Sequence, residues 1–406
     1  MTRDPGPTPP SERIVSLDAL RGFALLGILV INVWVFAMPE ATLLNPTVYA
    51  DGAVYGDFTG ANYWAWFAGH VFGQSKLITL FSALFGAGIL LFVESKEEKG
   101  QPAVRLHYRR TAVLIAIGLA HAYLLWYGDI LVAYGVTGLF LITLRDTEAK
   151  KLAALGGVFL LFVPATELFA AVTIGGDAIA GQWAPAEAAL RQEVATYRGG
   201  WLDQMSHRVS ASFQRQTTGF IGASFWRVGG VMLLGMALYR WGVLTGERSA
   251  KLYKRLVAGG VVGVAVVVAG VVYIEANDWS ADAALYWRQF NYWGSLLVAG
   301  GYLGLVMLYA RRRPDGPVTR TFAAVGRTAF TNYLFQTVLA TSIFYGHGLG
   351  LFGSVDRVGQ YGIVLAIWIV QVALSVLWLK RYRFGPVEWV WRTLTYGERQ
   401  PMRNPD

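Results

Sequence analysis

The residues of this sequence that best fit a catalytic role are a histidine and an aspartate, which lie close together in an apolar region. His121 and Asp129 occur in HAYLLWYGDILVAYG, where Gly128 allows a tight turn between two apolar runs. Because an imidazole exchanges protons near neutral pH and a carboxylate can orient its ring, the pair predicts a general base. A histidine hydrogen-bonded to a neighbouring helix and an aspartate that caps a helix explain the same residues without catalysis.

A second polar pair, Asp18 and Arg21, lies near the start of the first apolar run, in SLDALRG. At a spacing of three residues the two side chains share a helical face and can form an ion pair. Arg21 could hold an anionic group such as a phosphate through two hydrogen bonds. The alternative is an N-cap followed by an arginine that extends to the membrane surface.

Other polar side chains interrupt apolar runs. A charge in the middle of a bilayer costs at least about 2.5–3.5 kcal/mol, so such residues should contact protein, water or substrate. Hydrogen bonding between helices is the alternative for the stripe of Thr328, Asn332 and Gln336.

His107 and His207 fall in predicted polar loops and receive no role. The predicted substrate-binding residues are Asp18, Arg21, Gln74, Lys76, Asn332, Gln336 and His347.

Composition indicates that these residues lie in a membrane protein. Of the 406 residues 54% are hydrophobic and 15% charged, whereas a soluble domain has about 25% charged residues. The chain has no cysteine, which excludes disulfides, thiolate metal sites and a cysteine nucleophile. No nucleotide-binding loop or zinc-protease motif is present, and we predict no metal.

Ten apolar stretches approach or exceed the length that a helix needs to cross a bilayer. They predict an all-α, polytopic bundle, in which the third and fourth spans form a tight hairpin around Gly128. The predicted spans are Leu17–Met38, Val71–Val93, Thr111–Tyr127, Asp129–Leu144, Leu152–Ile174, Gly219–Tyr239, Leu256–Ile274, Tyr292–Ala310, Phe322–Tyr345 and Tyr361–Leu379.

The distribution of basic residues orients these spans. Alternate loops carry 25 Lys and Arg on one side and 6 on the other. The positive side is normally cytoplasmic, so both termini are predicted to be cytoplasmic. The net charge of +9 is thereby explained as a topology signal, and nucleic acid is not an expected partner.

The order of the spans divides the chain into five regions. Residues 1–12 form a predicted disordered tail, 13–174 a five-helix half, 219–383 a second five-helix half of opposite orientation, and 384–406 a cytoplasmic or interfacial tail. Residues 175–218 are predicted to be an extracytoplasmic loop with two amphipathic helices. Pro185 can open the first helix, and the apolar stripe of the second contains Trp201, Met205, Val209 and Phe213.

Five motifs resemble those of the bacterial YeiB-like membrane proteins, which contain domain of unknown function 418. The resemblance implies a multi-pass protein of the bacterial inner membrane, and it maps recurrent residues of that family onto Arg21, Lys76, His121, Asp129 and residues 331–336. The matching stretches cover most of the chain in order: SLDALRGFALLGILVIN, FGQSKLITLFSALFGAG, HAYLLWYGDILVAYG, GRTAFTNYLFQT and GPVEWVWR.

The first-span motif is also similar to that of membrane acyltransferases, including the glucan succinyltransferases and the heparan glucosaminide acetyltransferase. This similarity implies acyl-CoA as a co-substrate, with no permanently bound cofactor. Asp18 and Arg21 would receive its pantetheine or phosphate end from the cytoplasm. Those enzymes place a histidine in the first outer loop, where this chain has only His70, at the end of the loop.

The leading hypothesis is a membrane acyltransferase that acts on an extracytoplasmic sugar, lipid or envelope component. His121 and Asp129 would be catalytic, and Lys76, Asn332 and Gln336 would line the path between the two faces. The alternatives are a transporter of a small polar or anionic solute, with the same residues between inverted halves, and a membrane protein without chemistry. Expected partners are the bilayer and a small-molecule, glycan or lipid acceptor, and a homo-oligomer is compatible with such a bundle.

Overall fold

The computed structural model describes residues 14–49, 55 and 57–404. The predicted tail, residues 1–12, lies outside them. In this part of the chain the architecture is an all-α bundle, as predicted. Its seventeen α-helices are α1 Val15–Ala37, α2 Ala41–Leu44, α3 Gly60–Phe72, α4 Lys76–Glu97, α5 Ala103–Leu124, α6 Leu131–Leu141, α7 Ala149–Thr173, α8 Ala180–Trp183, α9 Glu187–Arg198, α10 Met205–Gln216, α11 Phe225–Arg240, α12 Ala250–Ala276, α13 Ala281–Arg312, α14 Pro317–Arg327, α15 Ala329–Phe344, α16 Arg357–Leu379 and α17 Pro386–Tyr396.

Long apolar helices indicate a membrane protein. Several of them expose large apolar side chains, including Val172 on α7, Val261 on α12 and Ile369 on α16, which suits contact with lipid tails. Each predicted span overlaps a helix, but the count of ten crossings and their orientation stay predictions. Among the described residues, seven helical stretches are long and apolar enough to cross a membrane: Val15–Ala37, Gly60–Glu97, Ala149–Thr173, Met205–Arg240, Ala250–Ala276, Ala281–Arg312 and Arg357–Leu379.

Helix α1 lies in the centre of the bundle, where it contacts α4, α13, α14, α15 and α16. Its closest approach is to α14, at Gly22 and Gly326. A Cβ atom on Gly22 would lie less than 3.0 Å from the carbonyl oxygen of Phe322, and one on Gly326 equally close to that of Asp18. Because only glycine permits this spacing, the crossing brings the neighbouring residues Arg21 and Arg327 to one side of the bundle.

The predicted second span is not one continuous helix. Helix α3 ends at Phe72 and α4 begins at Lys76, and Ser75 between them has a left-handed φ of 69°. The carbonyl of His70 at the end of α3 accepts a 2.6 Å hydrogen bond from Lys76 Nζ. The lysine therefore satisfies a carbonyl that the helix break would otherwise leave without a partner.

The predicted ninth span is likewise broken, at Thr328, into α14 and α15. The N–H groups of Phe330 and Thr331, in the first turn of α15, donate to Glu388 of α17 at 2.7 and 3.1 Å. Glu388 thus caps α15 from a distant part of the chain. Apolar periodicity alone did not reveal this break, because the capping carboxylate lies 57 residues away from Thr331.

The loop of residues 175–218 contains the two expected helices, α9 and α10. The predicted apolar stripe of α10 does not face the protein, since Val209 and Phe213 are exposed. Its buried face is polar instead. Arg208 and Ser212 donate to the carbonyl groups of Leu124 and Ala122, at 3.1 and 2.9 Å, so α10 caps the C-terminal end of α5.

Candidate functional site

A cavity of about 320 Å³ lies between α1, α4, α5, α6, α14, α15 and α17. Its wall is mainly apolar, with Phe81, Leu84, Phe85, Ile89 and Leu114 among its residues. The volume and the lining of this cavity suit a site that holds part of a small molecule or a lipid-like chain. We call it the cationic cavity because five basic side chains also line it: Arg21, Lys96, Arg110, Arg327 and Arg392.

The basic side chains lie toward the predicted cytoplasmic end, and aromatic rings hold two of them. The guanidinium of Arg110 lies 4.4 Å from the centroid of the Trp391 ring, and Lys96 Nζ lies 4.7 Å from that of Tyr396. The Trp391 indole also donates to the Arg110 carbonyl at 2.8 Å. Cation–π contacts of this kind hold a cationic side chain in a fixed position.

Among the described residues that line this cavity, basic side chains outnumber acidic ones. Glu388 is the one acidic residue in that part of the lining, and Asp18 pairs with Arg21 at 2.8 Å, as the spacing predicted. Burial lowers the pKa of the Arg392 guanidinium, the phenol of Tyr396 and the carboxylate of Glu388 raise it, and the charge of Arg21 lowers it again. A bound anion would relieve this repulsion, so the cavity is suited to phosphate or another anionic group.

His121 and Asp129 are in direct contact. The Nδ1 atom of His121 lies 2.7 Å from Oδ2 of Asp129, and both side chains are 1% exposed. The other carboxylate oxygen accepts from the N–H of Val132 at 2.9 Å, which holds Asp129 against the first turn of α6. Gly118 makes the hairpin tight, because a Cβ atom there would press against Leu131 and Val132.

The buried pair lies directly behind the wall of the cationic cavity. Tyr333 and Ile130 line the cavity, and the Tyr333 ring centroid is 5.2 Å from that of His121. The Tyr333 hydroxyl accepts from the Ile130 N–H at 3.3 Å. Tyr333 therefore contacts both the cavity and the imidazole.

Aromatic residues continue from His121 toward the loop of residues 175–218. The ring of Trp126 lies 6.4 Å from that of His121 and 6.2 Å from Tyr127, which in turn contacts Tyr197 and His207. The buried hydroxyls of Tyr127 and Tyr197 have no hydrogen-bond partner within the described residues. None of the four side chains of this aromatic region lines the cationic cavity.

Lys76 and Gln74 lie at the break between α3 and α4, and neither lines the cationic cavity. Besides the His70 carbonyl, Lys76 Nζ donates to Oδ1 of Asn291. Gln74 contacts His70 Nδ1 at 2.5 Å and donates to the Leu43 carbonyl at 3.2 Å. Through these contacts both side chains belong to a hydrogen-bonded cluster that joins neighbouring helices.

Asn332 and Gln336 also lie outside the cavity lining, between α15 and α16. Asn332 donates to Thr328 and Ser375, both at 2.9 Å. Gln336 donates to Gln371 at 3.0 Å. The stripe forms the hydrogen bonds between helices that were the alternative explanation of these residues.

The remaining histidines occupy different positions. His347 is exposed and packs edge-on against Tyr345 at 5.8 Å, on the side of the aromatic region. The prediction that His107 lies in a loop is wrong, because it is buried on α5 and lines the cationic cavity. His207 lies on α10 rather than in a loop.

Four basic residues of the cavity, and Glu388 with them, were not among the predicted site residues. The four are Lys96, Arg110, Arg327 and Arg392. They were counted as loop charges or left as residues near the end of a span, and only the fold brings them together. The GPVEWVWR motif was the available signal, because it contains Glu388, Trp391 and Arg392.

Together, the apolar helices, the cation-lined cavity and the buried His–Asp pair define a helical-bundle membrane protein with an internal site. The chain belongs to the YeiB-like family described as "Protein of unknown function (DUF418)", whose profile matches residues 238–398. The predicted resemblance is thus confirmed. Within the described residues, no group of three or more His, Asp or Glu side chains could hold a metal ion.

The relatives are bacterial. Protein YeiB of Escherichia coli strain K12 is 35% identical over 391 residues, which cover 95% of this chain and 96% of the relative. Protein YxaH of Bacillus subtilis strain 168 is 32% identical over 415 residues, covering 98% and 97%. A 39.9 kDa protein from the amylase 3′ region of Bacillus acidopullulyticus is 25% identical over 391 residues and 96% of each chain.

Proposed function

We propose that the protein is a membrane acyltransferase that uses acyl-CoA as donor. The acyl group would pass to a hydroxyl or amine of a sugar, lipid or envelope component on the opposite face. The observation that carries this proposal is the position of the His121–Asp129 pair. The pair lies behind Tyr333, at the wall of an apolar cavity that also contains five basic side chains.

The lining of the cationic cavity suits the two chemical parts of acyl-CoA. Arg21, Arg110 and Arg392 offer guanidinium groups, which bind phosphate oxygens through paired hydrogen bonds. The apolar wall suits an acyl chain and the pantetheine arm. A volume of about 320 Å³ is too small for the whole donor, so the nucleotide would stay at the basic end while the thioester enters.

His121 has the surroundings of a general base. Asp129 orients its ring from one side, and the burial of both groups excludes water that would hydrolyse a thioester. In the transfer, the acceptor oxygen or nitrogen bonds to the acyl carbon and the carbon–sulfur bond breaks. The proton of the acceptor passes through His121 to the CoA sulfur, which leaves as the thiol.

The test measures free CoA thiol released from acetyl-CoA by purified protein in detergent, with and without candidate acceptors. A thiol reagent gives no background from the protein because the chain has no cysteine. His121→Ala should abolish release. Arg392→Ala should raise KM for acetyl-CoA by about tenfold, since it removes a charge-assisted contact to phosphate.

Arg320→Ala is the matched control, because Arg320 is exposed, pairs with Asp315 and does not line the cavity. This variant should behave as the unmodified protein does. Wild-type protein that neither binds acetyl-CoA nor releases CoA with any acceptor would contradict the proposal. Equal activity of wild type and His121→Ala would contradict the role of the histidine.

A further inference from the structure

The hydrogen bonds of His121 define the position of its proton. An ionised carboxylate only accepts hydrogen bonds, and Asp129 lies against Nδ1 at 2.7 Å. The proton of the neutral ring is therefore on Nδ1, and Nε2 is left as an acceptor. The atom that faces Nε2 is Oγ1 of Thr337, at 2.9 Å.

The hydroxyl of Thr337 must then donate to the imidazole. Its other contact is with the Tyr333 carbonyl at 3.5 Å, which is at the limit for a hydrogen bond. Thr337 is 1% exposed and lies on α15, one turn beyond Tyr333. Hydrogen bonds thus link Asp129 to His121 and His121 to Thr337, as they link the acid, the base and the nucleophile of a catalytic triad.

We propose that Thr337 is the nucleophile of this site and carries the acyl group as an ester between two half-reactions. This inference rests on the proposed acyl transfer and replaces its single direct step by two steps with a covalent intermediate between them. It also explains why the hydroxyl of Thr337, which has no partner on α16, lies against the imidazole of His121. A general base that acted directly on the acceptor would instead need its Nε2 free for the acceptor.

The first half-reaction transfers the acyl group to the protein. Thr337 Oγ1 bonds to the thioester carbon while His121 Nε2 takes the hydroxyl proton. The carbon–sulfur bond then breaks, and the same proton passes to the CoA sulfur. Tyr333, between the cavity and the imidazole, is the side chain that would have to turn aside for the thioester to reach Thr337.

The second half-reaction regenerates the threonine. The acceptor hydroxyl bonds to the acyl carbon as His121 removes its proton, and the ester bond to Oγ1 breaks. The proton then returns from His121 to Thr337. Trp126 contacts the His121 ring and does not line the cationic cavity, so it offers an approach for the acceptor from the aromatic region, and donor and acceptor need not meet.

The first test looks for the covalent intermediate. Wild-type protein is mixed with acetyl-CoA without acceptor, quenched in acid at a series of times, digested and analysed by mass spectrometry. One acetyl group should appear on the peptide that contains Thr337. Protein that releases CoA but carries no acetyl group on Thr337 at any time would overturn the inference while leaving the proposed acyl transfer intact.

Isosteric variants provide the second test. Thr337→Val keeps the shape but removes the hydroxyl, and it should lower CoA release by at least about a hundredfold and abolish the label. Thr337→Ser should keep both the label and a measurable rate. Thr341→Val is the matched control, since Thr341 is also buried on α15 but bonds only to its own helix, at Val338.

Near-normal CoA release by Thr337→Val would overturn the nucleophile and favour direct base catalysis by His121. If wild-type protein releases no CoA at all, the proposed acyl transfer itself fails, and this inference fails with it. The variants are compared only after each has eluted as the same detergent-solubilised species as wild type. The labelling test on wild-type protein does not depend on any variant.

Discussion

Two carboxylates outside the long apolar helices, the buried Glu388 and the half-buried Glu193, differ in the number of hydrogen bonds that they accept. Glu388 accepts from the N–H groups of Phe330 and Thr331 and from the Thr331 hydroxyl. Glu193 on α9 accepts from the N–H of Glu40 alone, at 3.0 Å. Burial raises the pKa of Glu193 to about 7 from 4.5, the hydrogen bond from Glu40 lowers it, and the charge of Glu40 raises it.

The folded protein should therefore lose stability as Glu193 ionises. Between about pH 4.5 and about pH 7 the folded form holds a proton that the unfolded chain has released, so the free energy of unfolding falls as the pH rises. Glu193→Gln keeps an oxygen that can accept from Glu40 and carries no charge. Thermal unfolding in detergent across this range should show a smaller loss of Tm for Glu193→Gln than for wild type.

The exposed Glu148 provides a control, since Glu148→Gln should follow the wild-type dependence on pH. An identical dependence in Glu193→Gln and wild type would mean that Glu193 does not titrate in this window.

At this scale the sequence predicted contacts between residues close in the chain and missed those that are far apart. The Asp18–Arg21 pair follows from helical spacing, and the contact of His121 with Asp129 agrees with the hairpin at Gly128. Thr337 and Arg392 could not be found in this way. His121 and Thr337 are 216 positions apart in the chain, and no periodic signal links residues at that separation.

At the scale of elements, glycines set the crossings that assemble the cationic cavity. Gly22 and Gly326 bring α1 against α14, and Gly86 and Gly235 do the same for α4 and α11. Gly86 thus lies at a close helix contact, whereas Gly88 faces open space and lines the cavity. The first crossing matters most for the site, since Arg21 and Arg327 lie next to its glycines.

A methyl group at the first crossing should separate α1 from α14. Gly326→Ala should lower the free energy of unfolding by at least about 1–3 kcal/mol, because backbone atoms rather than a flexible side chain occupy the space. Gly259→Ala on α12 is the control, as nothing lies within 4 Å of the added carbon. It should leave stability unchanged or raise it by up to about 1 kcal/mol.

Both variants are compared by thermal unfolding in the same detergent. A wild-type Tm for Gly326→Ala would contradict the close approach of the two helices.

Helix positions were predictable because apolar runs of membrane length are a strong signal, and α9 and α10 were predictable from helical periodicity. The breaks at Ser75 and Thr328 were not. Each depends on a partner from another element: the Lys76 side chain with Asn291 on α13, and Glu388 on α17. Which face of α10 is buried likewise depends on another element, since the carbonyl groups of Leu124 and Ala122 accept hydrogen bonds from its polar side chains.

At the scale of the whole molecule, the two ends of the bundle are chemically different. Arg21, Arg110 and Arg392 lie around the cavity at the predicted cytoplasmic end. The other end contains α9, α10 and the Glu40–Arg215 ion pair. His121 lies between them, so the predicted orientation determines which compartment would supply the donor and which the acceptor.

Cysteine labelling can test this orientation because the chain has no cysteine of its own. Asp315 and Leu349 are 85% and 70% exposed and flank α14 and α15. Leu349→Cys should react with a membrane-impermeant maleimide added to intact spheroplasts. Asp315→Cys should react only after the membrane is disrupted.

If Asp315→Cys alone reacted in intact spheroplasts, the true orientation would be the reverse of the predicted one. Reaction of both variants from the same side would mean that α14 and α15 together do not cross the membrane. The result is informative because neither helix belongs to the seven long apolar stretches.

The capping of α15 by Glu388 has a consequence for biosynthesis. The ribosome makes α17 last among the described helices. Yet α17 supplies Trp391 and Arg392 to the cavity, and its Glu388 caps the first turn of α15. A nascent chain therefore inserts its apolar helices before the cationic cavity has all of its walls. The cavity is complete only after translation has passed Tyr396, the last residue of its lining.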